Sequence, residues 1–331
     1  MPTSALNARI TAIGSYVPKQ ILSNQDLEAM VETNDEWIVQ RTGMRERRIA
    51  AADEYTSHLS IRAVEDMVAR YSTSLDDVEL IIVATHTPDL AFPSAACLVQ
   101  AHFGIPATGA YDLNATCAGF TYALHTASAM IAAGVHRKVL VIGADTVSKI
   151  TDYTDRSTCI LFGDGAGAVM VERDDERPSF LAHHQGSDGT GGKHVYRTGL
   201  AATIGDVELG GNGKLVQNGR EVYKFAVTTV PQGIEQLMAK SDMRLSDVDW
   251  FIPHSANLRI IESICEKSGI PFEKSLYSLV YYGNTSAASI PLALDLGIQE
   301  GKVHDGDTLL LYGFGGGLTH AGLIVRWDLR Q

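Results

Sequence analysis

Short apolar runs of strand length recur along this chain, separated by segments of helical period, and that alternation is what most restricts the fold. The runs fall at 79–85, 110–114, 138–144 and 166–172 in the first part, and at 180–186, 248–253, 276–280 and 308–313 in the second. Helix-period stretches occupy 57–72, 117–133, 220–240, 256–268 and 286–300. Such alternation predicts an α/β protein whose sheets are covered on both faces. The polar run Glu172-Arg173-Asp174-Asp175-Glu176-Arg177-Pro178 interrupts the pattern once, and a strand signal resumes directly after it. We place the boundary between two halves of like rhythm there, at 1–175 and 176–331. The repeat is one of element order, without visible sequence identity.

Charge narrows the function. Lys and Arg number 27 against 39 Asp and Glu, a formal net charge of -12. This argues against general nucleic-acid binding and for a soluble, cytoplasmic protein. Arg41, Arg45, Arg47 and Arg48 fall within eight residues; by charge alone they read as a solvated face, with a local basic surface as the alternative. No apolar run approaches the roughly 18 residues that span a bilayer. Residues 1–19 lack both a basic n-region and an apolar h-region, so no signal peptide is expected. The four cysteines show no C-x-x-C spacing, and no metal site is expected. Cys97, Cys159 and Cys265 read as small buried hydrophobes.

Three strings carry chemistry. Cys117, in Asn114-Ala115-Thr116-Cys117-Ala118-Gly119-Phe120, follows a strand-like run and opens a segment of almost wholly small or apolar residues. A helix apolar on every side belongs inside a protein. Its unpaired N–H groups and positive dipole end would favour a thiolate, so Cys117 is expected to be nucleophilic, with a lowered pKa and faster alkylation near neutral pH than the other cysteines. His254, in Pro253-His254-Ser255-Ala256-Asn257, ends a strand run at the carboxyl edge of a sheet, where open α/β proteins gather ligands. Asn284, in Gly283-Asn284-Thr285-Ser286, reads either as a cap or turn residue or as an amide donor to a developing oxyanion. A nucleophile, a base and an amide donor together suit acyl transfer followed by carbon–carbon bond formation.

Two glycine-rich strings resemble nucleotide loops only superficially. Gly163-Asp164-Gly165-Ala166-Gly167 leads into a strand, and Gly313-Phe314-Gly315-Gly316-Gly317 links two strand-like runs. Neither has the strand–loop–helix context of a dinucleotide or phosphate loop. Close backbone packing and an oxyanion-hole N–H account for them better. Residues 186–219 are glycine-rich and aperiodic, readable as an excursion over a site or as a tolerated surface insertion.

With these residues in place the chain resembles the beta-ketoacyl-[acyl-carrier-protein] synthase III family, the initiating condensing enzymes of the thiolase-like group. The resemblance runs over essentially the whole length. It rests on Asp35-Glu36-Trp37-Ile38, Arg41-Thr42-Gly43, Phe92-Pro93-Ser94, Cys117-Ala118-Gly119-Phe120, Arg156-Ser157-Thr158, the 162–168 glycine string, His254, Asn257-Leu258-Arg259 and Gly283-Asn284-Thr285-Ser286. It implies a homodimer of thiolase-like subunits, each with two pseudo-repeated halves in α-β-α-β-α layers. Cys117 would take an acyl group from a short straight or branched acyl-CoA, with the N–H groups of Cys117 and Gly316 as the oxyanion hole. His254 and Asn284 would hold the thioester oxygen of malonyl-acyl carrier protein as it loses carbon dioxide. Trp37 and Arg156 would sandwich the CoA adenine, and Arg41 would meet its phosphates. Thr33, Gly219 and Asn257 would line the pantetheine arm, Phe92 would reach across the dimer into the acyl pocket, and Lys224 and Arg259 would contact the acidic carrier protein. No cofactor is implied, since CoA enters as a substrate thioester.

The chain departs from the family at Ser255, where many members have glutamine, and in a slightly longer 186–219 segment. Both leave the starter acyl group open. The alternatives are a related thiolase-like acyltransferase or ketosynthase of secondary metabolism with a different starter, and a non-catalytic partner subunit. The intact Cys117 setting disfavours the second.

Overall fold

The computed structural model describes residues 7–329; the first six residues of the 1–19 stretch lie outside it. Nine strands form two main sheets: β1 (Ala8–Tyr16), β2 (Leu80–Ala84), β3 (Gly109–Leu113), β4 (Lys138–Thr146), β5 (Asp164–Arg173), β6 (Phe180–Ser187), β7 (Trp250–Pro253), β8 (Thr308–Gly315) and β9 (Thr319–Arg326). The principal helices are α1 (Asp35–Thr42), α2 (Thr56–Tyr71), α3 (Ala95–Phe103), α4 (Gly119–Ala132), α5 (Gly219–Ser241), α6 (Leu258–Ser268) and α7 (Ser289–Gln299).

The first sheet runs β1-β5-β4-β2-β3 and the second β6-β9-β8-β7. Strand directions match in order: two antiparallel neighbours, then parallel ones. Helices α2 and α3 cover the outer face of the first sheet, α5 and α6 that of the second, and α4 and α7 lie between the sheets. This is an α-β-α-β-α stack, the thiolase-like arrangement.

Burial on both faces explains why the strands read as apolar runs without polar alternation. Along β2, Leu80, Ile82 and Ala84 face the middle layer while Ile81 and Val83 face α2 and α3. Along β8, Leu309 and Leu311 face the middle layer and Leu310, Tyr312 and Phe314 face α5. A strand with one wet face would have shown period two.

Several expectations need correction. The 276–280 run is no strand. A single parallel bridge joins Phe251 to Ser275, in the place β3 holds beside β2, and the chain then coils into a helical turn at Leu279–Tyr282. The Ser278 N–H is drawn to the Ser255 hydroxyl at 3.1 Å, which turns the backbone inward before it can pair further. Cys97 is exposed, because α3 spends Ala95, Ala96 and Val99 on the sheet. Arg47 is not solvated but fully buried, its guanidinium bonded to Asn24 Oδ1 and the Ile160 carbonyl, and burial pulls its pKa down to about 10. β1 carried no sequence signal we recognised, its small residues Ala8, Ala12 and Gly14 blurring the pattern. Among the described residues no helix is long and apolar enough to cross a membrane.

Four histidines pack where α4, β6 and β9 meet. The rings of His125 and His183 lie 4.2 Å apart and those of His184 and His320 5.4 Å apart, and His320 Nδ1 is 2.9 Å from the Tyr312 hydroxyl. Burial lowers the pKa of all four, His320 to about 4. In the unfolded chain these imidazoles titrate near the ordinary value of roughly 6.5, so the native state binds fewer protons in the window between. Stability is therefore expected to be full above that window and to fall as pH drops through about 4. The check is the thermal midpoint against pH, in which His320→Gln should flatten the acid-side decline; an equal decline in both proteins would show the cluster is not responsible.

Candidate active site

The two central helices begin in the same way. After β3, the Thr116 N–H bonds to Asn114 Oδ1 at 3.3 Å, Thr116 takes a φ of +47°, one 3₁₀ turn follows at Thr116–Ala118, and α4 starts at Gly119. In the second half the Ser286 N–H bonds to Asn284 Oδ1 at 2.9 Å, Ser286 takes a φ of +52°, a 3₁₀ turn spans Ser286–Ala288, and α7 starts at Ser289. A left-handed conformation costs a residue with a Cβ roughly 1–2 kcal/mol. Strain of that kind persists only where surrounding structure enforces it, and it concentrates at functional sites.

These turns meet. The Ser286 hydroxyl lies 3.4 Å from Cys117 Sγ, its N–H holds the Asn284 side chain, and Ser289, three residues on, bonds its hydroxyl to His254 Nδ1 at 2.7 Å. Six residues, 284–289, thus touch or include all three residues singled out from sequence. The turn between β8 and β9 closes the far side. A Cβ on Gly315 would come within 2.8 Å of Cys117 Cβ, so only glycine fits there. The Gly316 carbonyl accepts the Thr116 and Thr319 hydroxyls, each at 2.9 Å, which fixes its backbone beside Cys117. The 162–168 string serves the same close packing: a Cβ on Gly163 would fall 2.1 Å from the Tyr282 carbonyl.

Each polar group is oriented by a second contact. The Ser289 hydroxyl accepts the Ser255 N–H at 3.3 Å and lies 2.7 Å from His254 Nδ1; when its proton is given to Nδ1 the ring hydrogen resides on Nε2. Burial pulls the His254 pKa down to about 3, and the imidazole is a neutral donor at physiological pH. Asn284 Oδ1 is taken by Ser286, so the amide NH₂ is the end left to donate. Asn284 is therefore both a turn residue and a candidate donor.

Cys117 reverses one expectation. Burial pushes its thiol up to about 12, with the Ser286 hydroxyl working against that rise. A helix end is worth up to ~2 kcal/mol, about 1.5 pKa units, and desolvation works against it even though Cys117 is only part-buried, its side chain meeting the cavity. Desolvation wins, and the resting Cys117 side chain is a thiol. Selective alkylation at neutral pH is no longer expected, since Cys97 is the exposed cysteine.

A cavity of about 360 Å³ opens at Cys117, lined by His86, Phe162, Ser286 and Gly316 and roofed by Val195, Arg197 and Leu215. Its roof comes from the 186–219 excursion, which folds into short ladders pairing Val195–Arg197 with Leu215–Gln217 and Thr203–Ile204 with Val207–Glu208. Away from it, the guanidinium carbons of Arg41 and Arg156 stand 5.6 and 5.2 Å from the centre of the Trp37 ring. Arg156 thus rests on the indole itself, where a flat ligand would have to part the two. Thr33 Oγ1 is buried with no hydrogen-bond partner. Gly219 opens α5 and Asn257 caps α6, its Oδ1 accepting the Ile260 N–H at 2.9 Å. Lys224 and Arg259 are exposed on α5 and α6, which pack together, and Phe92 is 85% exposed. Among the described residues no three His, Cys, Asp or Glu side chains cluster as a metal site requires.

Sequence reasoning missed His86, Ser286 and Ser289 as parts of this site. Ser289 had no signal beyond its place three residues after Ser286, and His86 follows a strand run much as His254 does.

Comparison with known proteins agrees with the geometry. Residues 111–189 match the family model for 3-oxoacyl-[acyl-carrier-protein (ACP)] synthase III, and 238–327 the model for its C-terminal part. The chain is 64% identical over 322 residues to beta-ketoacyl-[acyl-carrier-protein] synthase III 2 of Bacillus anthracis, covering 97% of this chain and 98% of that one. It is 58% identical to the Bacillus subtilis protein of the same name, covering 97% and 99%. The crystal structure of the Thermus thermophilus synthase III superposes with a TM-score of 0.93 at 45% identity, covering 97% and 99%. Matched along nearly its whole length in sequence and fold, the chain belongs to the 3-oxoacyl-[acyl-carrier-protein] synthase III family.

Proposed function

We propose that this protein catalyses the decarboxylative condensation of a short acyl-CoA with malonyl-acyl carrier protein, giving 3-oxoacyl-acyl carrier protein, CoA and carbon dioxide, and so initiates bacterial type II fatty acid synthesis. The observation that carries the reading is the 284–289 segment, which ties Cys117, His254 and Asn284 into one constellation. The Cys117 thiol loses its proton to solvent and its sulfur attacks the acyl-CoA carbonyl, the carbon–sulfur bond to CoA breaks with CoA leaving as a thiolate that takes a proton from solvent, and the N–H groups of Cys117 and Gly316 hold the transient oxyanion. Malonyl-acyl carrier protein then loses its carboxylate as carbon dioxide, and the electron pair passes into a thioester enolate. Neutral His254 Nε2–H and the Asn284 amide hold the enolate oxygen, in a site where burial makes such donors count. The enolate carbon attacks the acyl carbonyl, the bond from that carbon to the Cys117 sulfur breaks, and the thiolate released takes a proton from solvent. No cofactor enters these steps.

Trp37, Arg41, Arg156, Thr33, Gly219 and Asn257 would receive the CoA. Lys224 and Arg259 offer exposed positive charge to an acidic carrier protein, against the overall charge of -12. Phe92 and its neighbour Leu90, 85% and 53% exposed, fit a dimer face on which Phe92 enters the partner's acyl pocket. Residues 1–175 and 176–331 would be the two halves of the pseudo-repeat, and the protein would act in the cytoplasm without membrane or nucleic-acid partners. The test is mass spectrometry of carrier protein after incubation with malonyl-acyl carrier protein and a competing mixture of acetyl-, isobutyryl-, isovaleryl-, hexanoyl- and octanoyl-CoA. One 3-oxoacyl product is expected and would name the starter. Acylated Cys117 with no condensation product would refute the condensing role.

A further inference from the structure

A second polar chain, separate from the His254–Ser289 pair, reaches Cys117. Asp145, on β4, is wholly buried, and its Oδ1 accepts the Thr85 hydroxyl at 2.9 Å, the Thr87 hydroxyl at 2.8 Å and the His86 and Thr87 N–H groups at 3.0 and 3.2 Å. Its Oδ2 accepts the Ala287 N–H at 3.2 Å. Burial alone would raise this carboxyl, yet His86 and the surrounding donors hold it below the ordinary carboxylate range. The group is an anion. Its Oδ1 stands 3.1 Å from His86 Nδ1, and a ring nitrogen that close to a carboxylate carries the proton.

The same Nδ1 lies 3.3 Å from Ser286 Oγ, which in turn lies 3.4 Å from Cys117 Sγ. With the single Nδ1 hydrogen shared between the Asp145 carboxylate at 3.1 Å and the serine oxygen at 3.3 Å, the serine oxygen serves as acceptor on that side, and its own hydrogen is left for the sulfur. We propose that His86 is a positioning residue for the nucleophile: its Nδ1–H, oriented by Asp145, turns the Ser286 hydroxyl so that it donates to Cys117 and stabilises the thiolate. The cysteine proton leaves to solvent, and the chain receives none; it adds a hydrogen bond to the anion once formed. The device opposes both the burial of the sulfur and the negative charge of Asp145, each of which raises the thiol. The other ionisable groups around it are Tyr196 and Arg197, which line the same cavity, and His254, uncharged because burial holds it near 3. The role of Cys117 as nucleophile rests on the proposed function; its ionisation does not.

The test uses the full chain carrying Cys97→Ser, since Cys159 and Cys265 are buried. Iodoacetamide alkylation of Cys117 is followed by intact mass from about pH 6 to about pH 11, where the thiolate is the reacting form. His86→Ala and Ser286→Ala are each expected to slow the reaction about tenfold at fixed pH and to move the profile up by about one unit. The double variant should be no slower than the slower single variant, because both break one chain. Additive losses, or a profile unmoved by Ser286→Ala, would overturn the proposal. Ser286→Ala keeps the N–H that holds Asn284, so a profile it leaves unmoved overturns the proposal whatever His86→Ala does to folding. Acylation of the unsubstituted protein by acyl-CoA is measured alongside: its absence would sink the acyl-transfer reading while leaving the alkylation comparison valid.

Discussion

Cys117→Ala is expected to abolish covalent acylation by acyl-CoA and to reduce condensation by a factor on the order of 10⁴ or more, the scale on which loss of a nucleophile acts. No neighbour can replace it. The Ser286 hydroxyl is adjacent but is a far weaker nucleophile, and Cys159 and Cys265 are buried elsewhere. Alanine suits the turn at Thr116–Ala118, so the folded state should be kept, which thermal melting would verify. Because His254 and Asn284 are untouched, slow decarboxylation of malonyl-acyl carrier protein should continue without product. An acyl adduct on the variant, located by peptide mass spectrometry, would remove Cys117 from the nucleophile's role.

The second large effect separates the two half-reactions. His254→Ala and Asn284→Asp should each still accept the acyl group on Cys117 but lose condensation by about 10²–10³, the usual cost of one oxyanion donor. Asn284→Asp is the sharper test, since the carboxylate keeps the acceptor for the Ser286 N–H and replaces only the donating amide. The sign of the pH dependence follows from the burial of His254. Its pKa, lowered to about 3, leaves the ring neutral throughout the ordinary range, so no acid limb near the normal histidine pKa should appear in the condensation step. A limb there that vanishes in His254→Ala would mean the ring works as a titrating base. Variants that fold but cannot be acylated would show that His254 and Asn284 activate the cysteine rather than hold the enolate oxygen.

Much of the fold could be read along the chain because both sheets are covered on both faces, so their strands stand out as apolar runs bounded by turns. The elements that escaped did so for local reasons. β1 is diluted by small residues, and the 276–280 run has strand composition but is turned inward at Ser278 to deliver Asn284. The three principal site residues were legible because each closes a strand-like run or opens a helix. Ser289 and His86 were not, since their significance lies in which nitrogen or oxygen they face across 35 and 200 residues of chain.

The sequence by itself determined the α/β class with sheets covered on both faces and the chemical types of the candidate trio, Cys117, His254 and Asn284, because periodicity, composition and chemical identity are properties of the chain. Tertiary structure alone decided the protonation states. Cys117 looked like a thiolate at a helix end and is held as a thiol, and His254 looked like a base and is held as a neutral donor. The reason is that ionisation depends on how much water and which dipoles surround a group, and that environment is assembled from β2, β4, β8 and the 284–289 turn, segments distant in sequence that meet only when the two halves close on each other.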